Sequence, residues 1–239
     1  MLLAIDIGNT RIKAAVFEES TLLELFVFDA SAAQSTLNSI LKKFSNIENA
    51  VAASVGNLKF ELPSHVKLYM IDSNWPMPFR NCYATPETLG ADRIVLAAGA
   101  TLQFPAANRL VIDAGTCVTY DFIDDEDNYH GGAISPGLLL RYRALNHYTA
   151  RLPLLDRENP AHYIGNSTNA SIHSGVVNGL TAEIDGFIER YRADYPNFII
   201  ILTGGDSEFL AERLKNTIFA HSNFLLESLN RIFHYKINK

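Results

Sequence analysis

Residues 3–17 read LAIDIGNTRIKAAVF. An apolar run from Leu2 to Ile5 feeds Asp6, and the small-residue turn Gly8-Asn9-Thr10 follows. A second apolar run, Ile12 to Phe17, is broken only by Lys13. Such a pattern predicts two β-strands joined by a tight turn, with an acid at its mouth and a base just past it. The design recurs. Residues 110–123, LVIDAGTCVTYDFI, set Asp113 where Asp6 stands and Gly115 where Gly8 stands. One copy is a weak signal, whereas two copies at matched positions point to two halves built alike.

Working outward, each hairpin opens the same series of elements. In the first half a third strand is expected at Leu22 to Phe28. A helix follows from an N-cap at Ser31 to about Phe44, with Leu37, Ile40, Leu41 and Phe44 on one face. A short buried strand, Ala50 to Val55, ends at Gly56. In the second half the third strand is expected at Tyr129 to Ile134, with helices from Leu138 to Tyr148 and from Thr168 to Tyr195. The unbroken apolar run Phe198 to Leu202 reads as a strand covered on both faces, ending at Gly204-Gly205, and two short helices close the chain. These series predict an α/β fold of two halves, residues 1–105 and 106–239, divided near Pro105. Between the repeats a strand is expected at Val66 to Ile71, a loop with three prolines from Asn74 to Pro86, and a helix from Gly90 to Phe104. That helix carries no charge from Ile94 onward, and a helix without a polar face must be buried all round. A contact with a second subunit is the expectation for it.

Composition narrows the function classes. The 239 residues are 48% apolar and 19% charged, which suits a globular protein with a real core. A net charge of −6 disfavours nucleic acid as partner, since phosphate backbones select clustered Lys and Arg. No apolar run is long enough for a membrane helix, and the chain opens on a strand with no basic leader, so neither a span nor a signal peptide is expected. Cys82 and Cys117 form no disulfide framework and no zinc spacing, which fits the cytoplasm; Cys117 reads as a small core residue. The seven histidines make no ligand pair, and His130 and His173 read as surface or supporting groups. The tail from Arg231 to Lys239 reads as a solvated helix end.

The chemistry concentrates at the turns. A glycine-containing turn presents several backbone N–H groups to one anion, and Lys13 adds a positive charge. Asp6, at the strand end, is suited to orient a hydrated magnesium ion beside phosphates, with Asn9 and Thr10 adding neutral hydrogen bonds. The second turn offers Asp113, Gly115, Thr116 and Thr119. Two such turns around a nucleotide suit phosphoryl transfer, where positioning and charge neutralisation do most of the work. Asp92 and Arg93, in the run GADR at 90–93, admit two readings. Asp92 could accept a proton from an attacking hydroxyl while Arg93 binds an anionic substrate, or it could simply favour a helix N-terminus. The residues alone leave both open.

The combination resembles the sugar kinase, heat-shock ATPase and actin superfamily: two duplicated ribonuclease-H-like halves, each a mixed five-stranded sheet flanked by helices, around an ATP cleft. DIGNTRIK (6–13), GADR (90–93), DAGTCVTYD (113–121), GGAISPGL (131–138), GNSTNASIHSG (165–175) and TGGD (203–206) resemble, in that order, the blocks of the type III pantothenate kinases. The resemblance covers nearly the whole chain. It implies ATP-dependent phosphorylation of pantothenate, the first step of coenzyme A biosynthesis. It further implies that Asp6, Ile7, Gly8, Asn9, Thr10, Arg11, Ile12 and Lys13 form the first phosphate loop and that Thr116 contacts ATP. Asp92 is then the catalytic base, and Gly90, Ala91, Asp92, Arg93, Tyr83 and Thr168 touch pantothenate. Asp113 is then the ligand of a monovalent cation, K+ or NH4+, with Mg2+ accompanying ATP. The same likeness implies a homodimer in which Thr168 completes the partner's site. Another small-molecule kinase of this fold, such as a sugar kinase, and a nucleotide-binding regulator without catalysis are the rival classes.

Overall fold

The computed structural model describes residues 1–8, 10–54, 60–72, 74–195, 197–216 and 218–237. They group into two compact units: Met1–Ala106 with Ile123–Gly131 and Asn223–Lys239, and Ala107–Phe122 with Gly132–Ser222.

The first unit is built on β1 (Leu2–Ile7), β2 (Ile12–Glu18), β3 (Thr21–Phe28), β4 (Asn49–Ser54) and β5 (Lys67–Met70), in the order β3-β2-β1-β4-β5. β1 runs antiparallel to β2 and parallel to β4. Alternation sends Leu3, Ile5 and Ile7 to one face, where Leu37 and Ile40 of α1 (Ala33–Lys43) complete a core. The opposite face is covered by α2 (Ala91–Gln103) and α7 (Phe224–Ile237). A two-residue strand, β6 (Arg80–Asn81), pairs with Asn128 and Tyr129, the start of β9 (Asn128–Pro136).

The second unit repeats the plan with β7 (Asn108–Ala114), β8 (Cys117–Ile123), β9, β10 (Phe198–Thr203) and β11 (Phe219–Ala220), in the order β9-β8-β7-β10-β11, and β6 pairs beyond β9 as a sixth strand where five were expected. The duplication read from two hairpins thus extends to the order of all five strands. Leu110, Ile112 and Leu202 form a core with α3 (Leu138–His147), α4 (Thr168–His173), α5 (Gly179–Asp194) and α6 (Ser207–Ala211).

Several expectations are corrected. The charge-free helix α2 is buried within its own chain: Arg93 through Thr101 are all buried, packed on α7 and β4. A Cβ at Gly99 would lie 1.8 Å from Ser228 Oγ of α7, so the two helices touch almost backbone to backbone. Its lack of charge therefore reflects an internal core and calls for no second subunit. The tail is likewise not a solvated end, because Ile232 and Phe233 of the long helix α7 are buried. Cys117 is exposed, being the first residue of β8 after the turn. Ser31 lies in a 3-10 turn, Ala30–Ala32, ahead of α1 and does not cap it. The helix expected over Thr168 to Tyr195 is interrupted by a wider π-type turn, Ser174–Asn178. His173, at that junction, is buried with Nδ1 2.9 Å from the Tyr142 hydroxyl.

Candidate active site

The β1–β2 register places Asp6 directly opposite Lys13, with Ala53 of β4 on its other side. Facing residues of an antiparallel pair project from the same face. The lysine interrupting an apolar strand thus meets a carboxylate. Burial pushes the Asp6 carboxyl up to about 6; the Lys13 charge opposes this and the Asp92 charge adds to it. Asp6, Lys13 and Asp92 therefore share one electrostatic neighbourhood within the first unit. The turn itself is closed by Gly8 N–H donating to the Arg11 carbonyl at 3.2 Å, with Thr10 and Arg11 exposed. Asn9 lies outside the described residues. Ile7 and Ile12, paired at the base of the turn, bury their side chains, so only their backbone is open to a ligand.

Asp92 stands in the first turn of α2, which begins at Ala91 after Gly90. Its Oδ1 accepts the Arg93 backbone N–H at 2.8 Å. A Cβ at position 90 would lie 2.4 Å from that same Oδ1, so the glycine is what lets the carboxylate fold over the helix N-terminus. Arg93 is buried, with its guanidinium 5.5 Å from the centre of the Tyr83 ring. Tyr83, Gly90, Ala91, Asp92 and Arg93, the residues expected to touch substrate, thus form one cluster in the first unit.

The second hairpin turn is closed by Gly115 N–H donating to the Cys117 carbonyl at 2.9 Å. Thr116 is exposed, and its carbonyl accepts Gly137 N–H at 3.0 Å. Asp113 pairs in register with Thr203 at the end of β10. Gly204, at φ +95°, brings its Cα against this acid; a Cβ there would lie 2.4 Å from Asp113 Oδ1 and 2.3 Å from the Ala114 carbonyl oxygen. Asp206 N–H donates to that carbonyl at 2.9 Å. Its carboxylate pairs with Arg157, which also packs 4.5 Å over the Phe209 ring. Burial raises the Asp206 carboxyl and Arg157 opposes the rise. Sequence reading missed Arg157, because its partner lies far along the chain and no local pattern marks it. Thr168 is exposed at the first position of α4, after Ser167, whose Oγ accepts Ala170 N–H at 3.2 Å.

Among the described residues no group of three or more His, Cys, Asp or Glu side chains is placed to hold a metal. Asp6 and Asp113, carboxylates near two strand ends, are of the type that suits ions keeping water and phosphate as their other ligands.

A family model described as type III pantothenate kinase matches residues 2–190, which span both hairpins, the α2 cluster and Thr168. The chain belongs to the type III pantothenate kinase family. A type III pantothenate kinase of Flavobacterium johnsoniae is 62% identical, covering 100% of this chain and 99% of its own length. That of Bacteroides fragilis is 41% identical, covering 98% of each. Among solved structures, a conserved Baf family protein of Campylobacter jejuni superposes with a TM-score of 0.62 at 22% identity, over 99% of this chain and 100% of that one. The activator of the 2-hydroxyisocaproyl-CoA dehydratase from Clostridium difficile, solved with ADPNP bound, gives 0.56 at 11% identity over 100% and 97%. Likeness at such identities speaks for the fold, and it extends over this type III pantothenate kinase family chain from end to end.

Proposed function

We propose that this chain transfers the γ-phosphoryl group of ATP to the primary hydroxyl of pantothenate, the first step of coenzyme A biosynthesis. The observation that carries the reading is Asp92, held at the N-terminus of α2 in the electrostatic neighbourhood of Asp6 and Lys13, in a chain of this family. Asp92 accepts the hydroxyl proton as the oxygen attacks the γ-phosphorus and the bond to ADP breaks. Arg93, buried against Tyr83, supplies a fixed cation for the pantothenate carboxylate, and Gly90 and Ala91 line the approach. Asp6 through Lys13 cradle the phosphates through turn N–H groups and the Lys13 charge, and Thr116 adds a contact from the second hairpin.

Magnesium bound with ATP would face Asp6 and supply charge neutralisation on the phosphates. Asp113 is proposed as the ligand of K+ or NH4+, an oxygen donor braced by Gly204. A homodimer is proposed, with Thr168 completing the partner's site. The segment before Thr168, where Tyr148, Leu154, Tyr163 and Ile164 are all largely exposed, supports this reading. We place the enzyme in the cytoplasm, with neither nucleic acid nor membrane as a partner. Free Cys82 and Cys117 suit that compartment, and no helix among the described residues is long and apolar enough to cross a membrane.

The test is a coupled assay of ADP formation from ATP and pantothenate, with and without K+. Pantothenate-dependent ADP formation that rises with K+ is expected. No turnover from folded protein would overturn the kinase reading, and equal rates without K+ or NH4+ would overturn the role of Asp113.

A further inference from the structure

Tyr83 emerges from a stretch with little regular structure, yet it is fixed from three sides. Its backbone follows β6, which is zipped to the start of β9: Arg80 N–H donates to the Asp127 carbonyl at 2.8 Å, and Cys82 N–H to the Tyr129 carbonyl at 2.9 Å. Asn81 Oδ1 accepts Tyr83 N–H at 3.0 Å. The Tyr83 ring packs at 6.2 Å on the ring of Tyr129, itself fully buried and backed by Phe79 at 5.6 Å.

The third side is Gly131. It sits at φ +88°, and a Cβ built there would lie 2.7 Å from Tyr83 Cδ2 and 2.8 Å from Cε2. These are two atoms on one edge of a rigid ring, so the clash cannot be relieved by rotating a flexible tip. The same ring lies under the guanidinium of Arg93, 5.5 Å from its centre. A chain of contacts therefore runs from Gly131 through Tyr83 to the one buried cation of the α2 cluster, entirely within the first unit.

We infer that Gly131 and Tyr129 are specificity-determining positioning residues for the acceptor: they set where the Tyr83 ring lies, and through it where Arg93 meets the carboxylate of the substrate. The inference rests on the pantothenate kinase reading above and deepens it. Neither residue touches the substrate in this account; both act through Tyr83. Gly131 lies in the second-half block GGAISPGL and Tyr83 in the least patterned part of the first half, so the link is invisible along the sequence.

The experiment compares wild type, Gly131→Ala, Tyr83→Leu and the double variant by steady-state kinetics on both substrates and by thermal unfolding. Gly131→Ala should raise KM for pantothenate about 10-fold or more while KM for ATP stays within about 3-fold. In the Tyr83→Leu background, where the ring edge is gone, the same substitution should change KM for pantothenate by less than about 2-fold, because interacting sites are not additive. A rise in both KM values together, an equal effect in both backgrounds, or a lowered unfolding temperature with unchanged KM for pantothenate would each overturn the inference. Wild-type protein inert on pantothenate would instead overturn the functional reading, and the acceptor role of Gly131 with it.

Discussion

The Asp92 carboxylate occupies the space that any side chain at position 90 would need, with its Oδ1 2.4 Å from where a Cβ would sit. The Gly-Ala-Asp-Arg run is therefore a single geometric device: the glycine yields room, and the acid bends back over the start of α2.

Gly90→Ala should push Asp92 out of line without removing it. Because displacements of about 1 Å can cost about 100-fold in rate, kcat should fall between about 10- and 100-fold with nucleotide affinity unchanged. Steady-state kinetics alongside calorimetric ATP binding checks this; an unaltered kcat would mean the carboxylate has another workable position.

Asp6 gives a pH dependence. Its carboxyl, raised by burial from 3.8 to about 6, must be ionised to face magnesium and the phosphates. Below about 6 it is mostly protonated in the free protein, so kcat/KM for ATP should climb with pH through that region and then level. A profile flat from pH 5 to 8 would contradict this.

The same residue should cost stability. Its folded pKa lies above its unfolded one, so the native state binds the proton more tightly, and stability falls as pH rises from 3.8 through about 6. Asp6→Asn should therefore stabilise the fold at pH 7, by on the order of 1–3 kcal/mol, while abolishing ATP turnover. The gain should vanish below about pH 4, which thermal unfolding at both pH values would show.

The α2–α7 contact predicts a purely structural lesion. Gly99→Ala would set a methyl 1.8 Å from Ser228 Oγ and should destabilise by about 1–3 kcal/mol, with KM values unchanged at permissive temperature. Adding Ser228→Gly, which removes that hydroxyl, should recover part of the loss in chemical denaturation.

Local patterns carried most of the fold. The Asp6 and Asp113 hairpins, the run Phe198 to Leu202 and the helix after Gly90 were all legible, because alternation, unbroken apolarity and a glycine stop are short-range signals. What stayed hidden depends on partners distant in sequence. The charge-free α2 was expected at an interface because lack of charge does not say what buries a helix; α7, which covers it, arrives more than a hundred residues later. Cys117 reads as core because its neighbours are apolar, but the turn lifts it into solvent. At the candidate site, Asp6, Lys13 and Asp92 were legible as residue types. The seat of Tyr83 against Gly131 and Tyr129 and the Arg157–Asp206 pair were not, since each joins segments with no shared periodicity.

Asp92 as the base in pantothenate phosphorylation is the centre of the account. The most direct measurement follows phosphopantothenate formation by wild type and Asp92→Asn, with ATP affinity determined on the same samples. The account predicts a loss of about 100-fold or more in turnover with ATP binding largely intact. Wild-type turnover from the asparagine variant would contradict it.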